Sequence, residues 1–252
     1  MFDLVKARFS HGYQAVKDIP GAVVNQKYRG FPFVDESRAG KEISSVIEQC
    51  PSRAIEQNPL RVDMGKCVFC GECARNTEAI AFTNFNHTAS TSRQHLVIDS
   101  GITAEEYTKG AIESCRSIRK MFGRSLKFRS VSAGGCNACE MELNACGNVN
   151  FDMGRYGIDI VASPRHADGL IITGPVTAAM AAALEDTYKA IPSPKIVVAM
   201  GSCAISGGIF SDSPAINRSF FETAKVDLYI PGCPPHPLTV VNGIIDYLGR
   251  RG

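Results

Sequence analysis

The sequence predicts two joined units: an α+β amino-terminal domain over residues 1–122 and an α/β domain with a parallel sheet over residues 123–252. Two observations carry this division. From Leu126 onward, short apolar runs alternate with helical stretches, which is the pattern of parallel strands covered on both faces. Before that point the chemistry lies in cysteine loops set among short strand candidates, Cys50-Pro51 and Cys67-Val68-Phe69-Cys70-Gly71-Glu72-Cys73. A chain of 252 residues is long enough for one large core or two smaller ones.

Composition narrows the function. Hydrophobic residues make up 44% and charged residues 21%, ordinary for a globular domain. A net charge of +2 gives no reason to expect nucleic acid or an anionic membrane surface as partner. No apolar run reaches about 18 residues, so no direct membrane insertion is expected. The opening stretch Met1 to Arg8 has neither the apolar core of a secretory signal nor a twin-arginine pair. The expectation is a cytoplasmic protein, peripheral to a membrane only through partner subunits. Ten cysteines are many for such a chain. Disulfide frameworks belong to oxidising compartments. Cysteines in C-x2-C patterns and Cys-Pro pairs point to metal instead.

Residues 1–45 carry no metal-ligand pattern. Phe2, Leu4, Val5, Phe9 and Tyr13 form one apolar helix face, read either as packed on its own domain or as a docking helix for a partner subunit. Pro20 to Asp35, with Gly21, Gly30 and Pro32, reads as extended and turn-rich.

The run Cys67, Cys70, Cys73 has consecutive C-x2-C-x2-C spacing, which wraps three thiolates around one face of a cubane. In two-cluster ferredoxins the fourth cysteine, followed by proline, ligates the other cluster, and Cys50-Pro51 has that form. Its own upstream trio is missing: the equivalent positions are Val46, Ile43 and Gly40. The partner cysteine after Cys73 is missing too, Thr77 or Arg75 standing there by either register. Both losses concern the same cluster. The segment, with its core at about 46–98, resembles a bacterial ferredoxin reduced to one [4Fe–4S] cluster held by Cys50, Cys67, Cys70 and Cys73. A structural zinc site is the alternative, since four-cysteine knuckles also use C-x2-C pairs.

Phe82, Phe85, Leu96, Val97 and Ile98 are expected to close this domain as strands, with His87 to Ser92 as an exposed turn. A helix is predicted from Thr103, its cap, to Phe122, with a cationic end at Arg116, Arg119 and Lys120. Cys115 within it reads as a buried thiol.

In the second domain strands are expected at 126–131, 158–162, 170–173, 196–200 and 228–230, and helices at 137–146, 176–190 and 238–248. Ligands in such sheets bind at loops beyond the carboxyl ends of the strands. Cys136 and Cys139 follow the first strand, Cys203 the fourth and Cys233 the last. Neighbouring glycines allow the backbone to approach a bulky group, and Pro234 and Pro235 stiffen the last loop. These four cysteines read as ligands of one [4Fe–4S] cluster.

Gly-Gly-Cys-Asn-Ala-Cys-Glu, Gly-Ser-Cys-Ala-Ile-Ser-Gly-Gly-Ile-Phe and Pro-Gly-Cys-Pro-Pro occur in this order, with Ser163 to Asp168 and Thr173 to Thr177 between them. Over roughly 125–252 the chain resembles the small subunit of energy-converting, group 4 [NiFe] hydrogenases, including formate hydrogenlyase, which are related to the cluster-bearing small subunit of complex I. The resemblance implies a flavodoxin-like fold and a proximal [4Fe–4S] cluster on Cys136, Cys139, Cys203 and Cys233, facing a [NiFe]-hydrogenase-type large catalytic subunit. It implies further iron–sulfur or redox subunits as electron donor or acceptor. Complex I relatives usually have adjacent cysteines where this chain has Cys136-Asn137-Ala138-Cys139, which favours the hydrogenase branch. The fused ferredoxin-like domain departs from the family pattern. The chain reads as an electron-transfer subunit with two [4Fe–4S] clusters and no complete active site.

Four further residues have two readings each. Glu140 is a proton-transfer candidate or a carboxylate at a helix N-terminus. Arg165, His166 and His236 either tune the cluster and its partner contacts or fill structural roles. Cys146 reads as core.

Overall fold

The structure is a computed structural model that describes residues 2–113 and 116–249; Cys115 lies outside them. The chain opens with α1 (Phe2–His11). None of its residues is buried, and Phe2, Leu4 and Phe9 are each more than three-quarters exposed, so the reading as a helix packed on its own domain is overturned. Residues 16–24 then run without regular structure across the second domain, where Ile19 is fully buried.

The next stretch repeats strand–helix–strand twice. The first repeat is β1 (Pro32–Val34), α2 (Ile43–Glu48) and β2 (Ile55–Glu56). The second is β3 (Arg61–Asp63), α3 (Glu72–Asn76) and β4 (Ile80–Phe82). The outer strands β1 and β4 pair antiparallel, as do the inner strands β2 and β3, and β5 (Val97–Asp99) adds to the far side of β3.

The helix predicted over 103–122 is two helices. In α4 (Ala104–Ala111) the Thr103 hydroxyl accepts from the Glu106 N–H and the Glu106 carboxylate accepts from the Thr103 N–H, a reciprocal cap. The helix stops at Ala111 because its carbonyl accepts from the Thr91 N–H, and Ile112 turns extended. The chain resumes as α5 (Arg116–Phe122).

From Leu126 the chain runs β6 (Leu126–Ser132), α6 (Ala138–Cys146), β7 (Ile158–Ile160), β8 (Gly169–Thr173), α7 (Ala178–Ala190) and β9 (Ile196–Met200). It ends with α8 (Ser202–Ser206), α9 (Phe220–Thr223), β10 (Leu228–Ile230) and α10 (Pro237–Tyr247). The five strands are all parallel, in the order β10-β9-β8-β6-β7, the doubly wound flavodoxin-like order. Alternate residues of one strand serve different cores. Val197 and Ala199 of β9 join Leu184 of α7, while Ile196, Val198 and Met200 join Ile244 and Ile245 of α10. Both faces are covered, so the strands read as unbroken apolar runs. Each fully buried Ile or Leu here contributes about 1.5–3 kcal/mol.

Ten residues of α10 are buried, Pro237 to Ile245 and Tyr247, so this helix is wrapped on all sides. Segments of the first domain do part of the wrapping: Ile19 and Ala89 belong to the same core, and a Cβ at Gly243 would meet the Ala89 Cβ at 2.6 Å. Here the exposed turn expected at His87 to Ser92 is corrected. Thr88, Ala89 and Ser90 are all buried, because Ser90 exchanges backbone hydrogen bonds with Tyr229 of β10 and the Thr88 carbonyl accepts from the Tyr107 hydroxyl. Their polar groups are satisfied by the fold rather than by water.

Candidate metal centres

The first group of cysteines gathers where the two strand–helix–strand repeats meet. Cys50 follows α2, Cys67 and Cys70 lie in the loop after β3, and Cys73 sits in the first turn of α3. All four border one pocket, lined on its apolar side by Val46, Ile55, Val62 and Phe82. Backbone N–H groups point at the sulfurs: Ala54 donates to Cys50 Sγ and Phe69 to Cys67 Sγ, both at 3.3 Å. The loop that achieves this has Phe69 and Gly71 at positive φ. Arg29 braces it, donating from Nε to the Phe69 carbonyl at 2.6 Å. Asp63 braces its base, accepting a bidentate pair from Arg93 at 2.8 and 2.7 Å and the Gly65 N–H at 2.8 Å.

Burial pushes the Cys67 thiol up, partly offset by the Phe69 N–H, with Cys73, Cys50 and Cys70 adding to the rise. Cys73 is pushed up to about 11, chiefly by burial and then by neighbours including Cys70 and Cys50.

The second group gathers at the carboxyl ends of β6, β9 and β10. The turn after β6 packs backbone on backbone: a Cβ at Gly174 would lie 2.6 Å from the Gly135 nitrogen. Asn137 takes a left-handed φ of 67°, a conformation asparagine tolerates, and so turns Cys136 and Cys139 toward the same side as α6 begins. Gly201 opens α8 at φ 89°, and a Cβ there would fall 2.6 Å from Cys139 Sγ. Cys203 lies in α8 and Cys233 in the loop after β10. Burial pushes Cys139 up, with Glu140, Cys203, Cys233 and Cys136 adding to the effect. Cys203 is pushed up to about 11 by burial first, then by Cys233 and Cys136.

The two groups touch. The buried Ser202 hydroxyl donates to the Cys67 carbonyl at 2.5 Å and lies 3.1 Å from the Gly232 carbonyl, while the Ser202 N–H donates to the same Gly232 carbonyl at 2.9 Å. Cys70 is close enough to Cys233 to raise its pKa, after burial and Cys136. Sequence reasoning missed Arg29 and Arg93, which stand in no metal-ligand pattern, and gave Ser202 no role although it lies in the Gly201-Ser202-Cys203 motif.

Among the described residues, no three His, Cys, Asp or Glu side chains converge closely enough to hold a single metal ion. Both groups suit a bulkier sulfur-ligated cluster: the first borders a pocket with N–H donors on its sulfurs, and the second has a cradle that any side chain at Gly201 would fill.

The other candidates fall outside this cleft or serve it indirectly. Burial works to raise the Glu140 carboxyl, but hydroxyls of Ser132 and Thr173 outweigh it and hold the group below its usual range; Thr173 donates at 2.7 Å. His236 caps α10, its Nδ1 accepting from the Leu238 N–H at 3.1 Å, and burial lowers its pKa. Cys146 is fully buried, its thiol donating to the Glu142 carbonyl and pushed up to about 12 by burial. Arg165 and His166 are exposed beside the strand that enters at Asp168, which bonds Lys127 and Ile196 at the amino ends of β6 and β9. That is the edge opposite the cysteine loops.

Residues 136–247 match the family described as NADH ubiquinone oxidoreductase, 20 Kd subunit. The chain is 40% identical over 126 residues to the probable membrane-bound hydrogenase subunit mbhJ of Pyrococcus furiosus, covering 50% of this chain and 75% of that one. The chain belongs to this 20 Kd subunit family. Two other relatives of the family are formate hydrogenlyase subunit 7 of Escherichia coli and an NADH-quinone oxidoreductase subunit of Heliobacterium modesticaldum, each 43% identical. The first covers 53% of this chain and 52% of the relative, the second 44% and 64%. The family match covers residues 136–247, and no helix among the described residues is long and apolar enough to cross a membrane.

Proposed function

We propose that this chain is the electron-transfer subunit of a [NiFe]-hydrogenase-type complex, carrying two [4Fe–4S] clusters, one on Cys50, Cys67, Cys70 and Cys73 and one on Cys136, Cys139, Cys203 and Cys233. The observation that carries the reading is the meeting of two four-cysteine groups at Ser202, which joins the Cys67 loop to the Gly232 loop. The paired strand–helix–strand repeats around the first group support a ferredoxin-like domain. Relatives named as hydrogenase and quinone oxidoreductase subunits support a partner-bound role.

Bound clusters supply one-electron chemistry, with potentials set by charge, hydrogen bonds and burial. The chain's own residues do the rest. Cysteine thiolates hold the groups, the Ala54 and Phe69 N–H donors stabilise charge on sulfur, and the apolar lining of the first pocket limits water. Ser202 fixes the separation of the two sites. Cys136 and Cys233 are exposed, and Met141, Ile209 and Phe210 nearby in sequence expose apolar surface, which suits docking of a large catalytic subunit against the second site. Substrate chemistry belongs to that partner.

A second reading, a complex I-type partner, is favoured by the NADH-quinone oxidoreductase relative at the same 43% identity. The spaced Cys136-Asn137-Ala138-Cys139 tilts the choice to hydrogenase. The large subunit that co-purifies decides it: two C-x2-C nickel-binding pairs are expected, and their absence selects the second reading. Metal and acid-labile sulfide analysis of anaerobically purified protein tests the cofactors. About eight iron and eight sulfide per chain are expected; zinc without sulfide ends the redox reading.

A further inference from the structure

Arg218 lies between α8 and α9 and is directed back at the second site. Its Nη1 donates to the carbonyls of Cys203 at 3.1 Å and Pro175 at 3.4 Å, and its Nη2 to those of Ala204 at 2.9 Å and Ile205 at 3.0 Å. The guanidinium also packs over the Phe221 ring, 4.6 Å from its centroid. The side chain is therefore held from both sides on the turn that carries Cys203.

What the guanidinium lacks is an anionic partner: among the described residues, no ion pair forms to it. Arg93, the neighbouring cation, is neutralised by the bidentate Asp63. A half-buried cation with only carbonyls around it is costly unless negative charge is nearby. A guanidinium stays protonated throughout the physiological range, so the charge is permanent.

We propose that Arg218 is a potential-setting residue: its unneutralised charge, fixed on the Cys203 turn, favours the reduced state of the second site over the first. The proposal rests on the two-cluster reading above. Reduction adds one electron, and so one negative charge, among Cys136, Cys139, Cys203 and Cys233; no bond is made or broken and no proton moves. A fixed cation stabilises that added charge, and more so in a site of low effective dielectric. At the first site Arg93 is paired, and Arg29, whose guanidinium holds the Phe69 carbonyl, is exposed, so solvent screens its charge. The electron is thereby drawn toward the side where Cys136 and Cys233 reach the surface.

The alternative is purely structural. The carbonyls of Cys203, Ala204 and Ile205 end a short helix, and an arginine there caps them. Charge and capping are separated by two variants, Arg218→Gln and Arg218→Lys, in the anaerobically purified full chain. Potentiometric titration followed by electron paramagnetic resonance reads both sites, the second identified by its loss in Cys203→Ser. Arg218→Gln is expected to lower the reduced-to-oxidised ratio of the second site about tenfold at fixed potential, a shift of about 59 mV for a one-electron couple. The first site stays in place, and Arg218→Lys retains most of the wild-type value. Equal shifts in both variants, an unmoved midpoint in Arg218→Gln, or loss of second-site iron from both variants overturns the proposal. Wild-type protein without a second reducible site overturns the two-cluster reading as well, and iron and sulfide content of the same sample identifies that case.

Discussion

The Ser202 hydroxyl donates to the Cys67 carbonyl at 2.5 Å, across 135 residues of sequence and between the loops of the two cysteine groups. Neither residue is exposed, so water cannot replace the bond. Ser202→Ala leaves the Cys67 carbonyl short of a buried donor. The expected cost is about 1–3 kcal/mol. Thermal unfolding of the loaded protein checks it, and an unchanged midpoint would show that the hydroxyl does not pin the loops.

Cys203→Ser tests the division into two sites. Iron content is expected to fall by about half, from the eight per chain of two cubanes, while the first site stays reducible. Loss of both signals together would mean that the sites are not independent.

Gly201→Ala acts on the same site by shape alone. The position has φ 89°, and the added Cβ would meet Cys139 Sγ at 2.6 Å. Sulfide analysis is expected to show loss from the second site with the first retained. Full retention would remove the cradle argument.

Alkaline pH should unfold the iron-free chain before the loaded one. Burial raises Cys73 and Cys203 from 9.0 to about 11. A raised folded-state value means the buried neutral thiols contribute their full stability below about 9 and lose it as pH climbs through about 11. In the loaded protein these groups are already thiolates held by metal, and the effect disappears. Unfolding midpoints of both forms across pH 8–11 check this, and parallel curves would contradict it.

Much of the parallel sheet is legible because strands buried on both faces are unbroken apolar runs: 196–200 and 228–230 are strands as expected. Two stretches of the cysteine groups are local in sequence, Cys67-Cys70-Cys73 and Cys136-Cys139, and the spacing there is readable without the fold. Context that arises only in three dimensions was not. The apolar pattern extends a helix over 176–190, yet Val176 sits at φ 64° and α7 begins at Ala178, since the Thr177 N–H donates to Ala133 across the cysteine turn. His87 to Ser92 looked like a solvated turn from its hydroxyls, but the edge of β10 pairs with it. Ser202, Arg93 and Arg218 act on groups far away in sequence, and no periodicity announces such partners.

The Ser90–Tyr229 pairing has a consequence for how the chain is made. β10 follows the other four strands of its sheet in chain order and lies at the edge of that sheet. An open edge is a template for pairing with other molecules. Here the complementary segment is translated more than a hundred residues earlier, so it is in place when the strand emerges. The amino-terminal half thus works as a built-in guard against aggregation, and a fragment cut to the family-matching region would carry an unprotected edge beside the stripped face of α10.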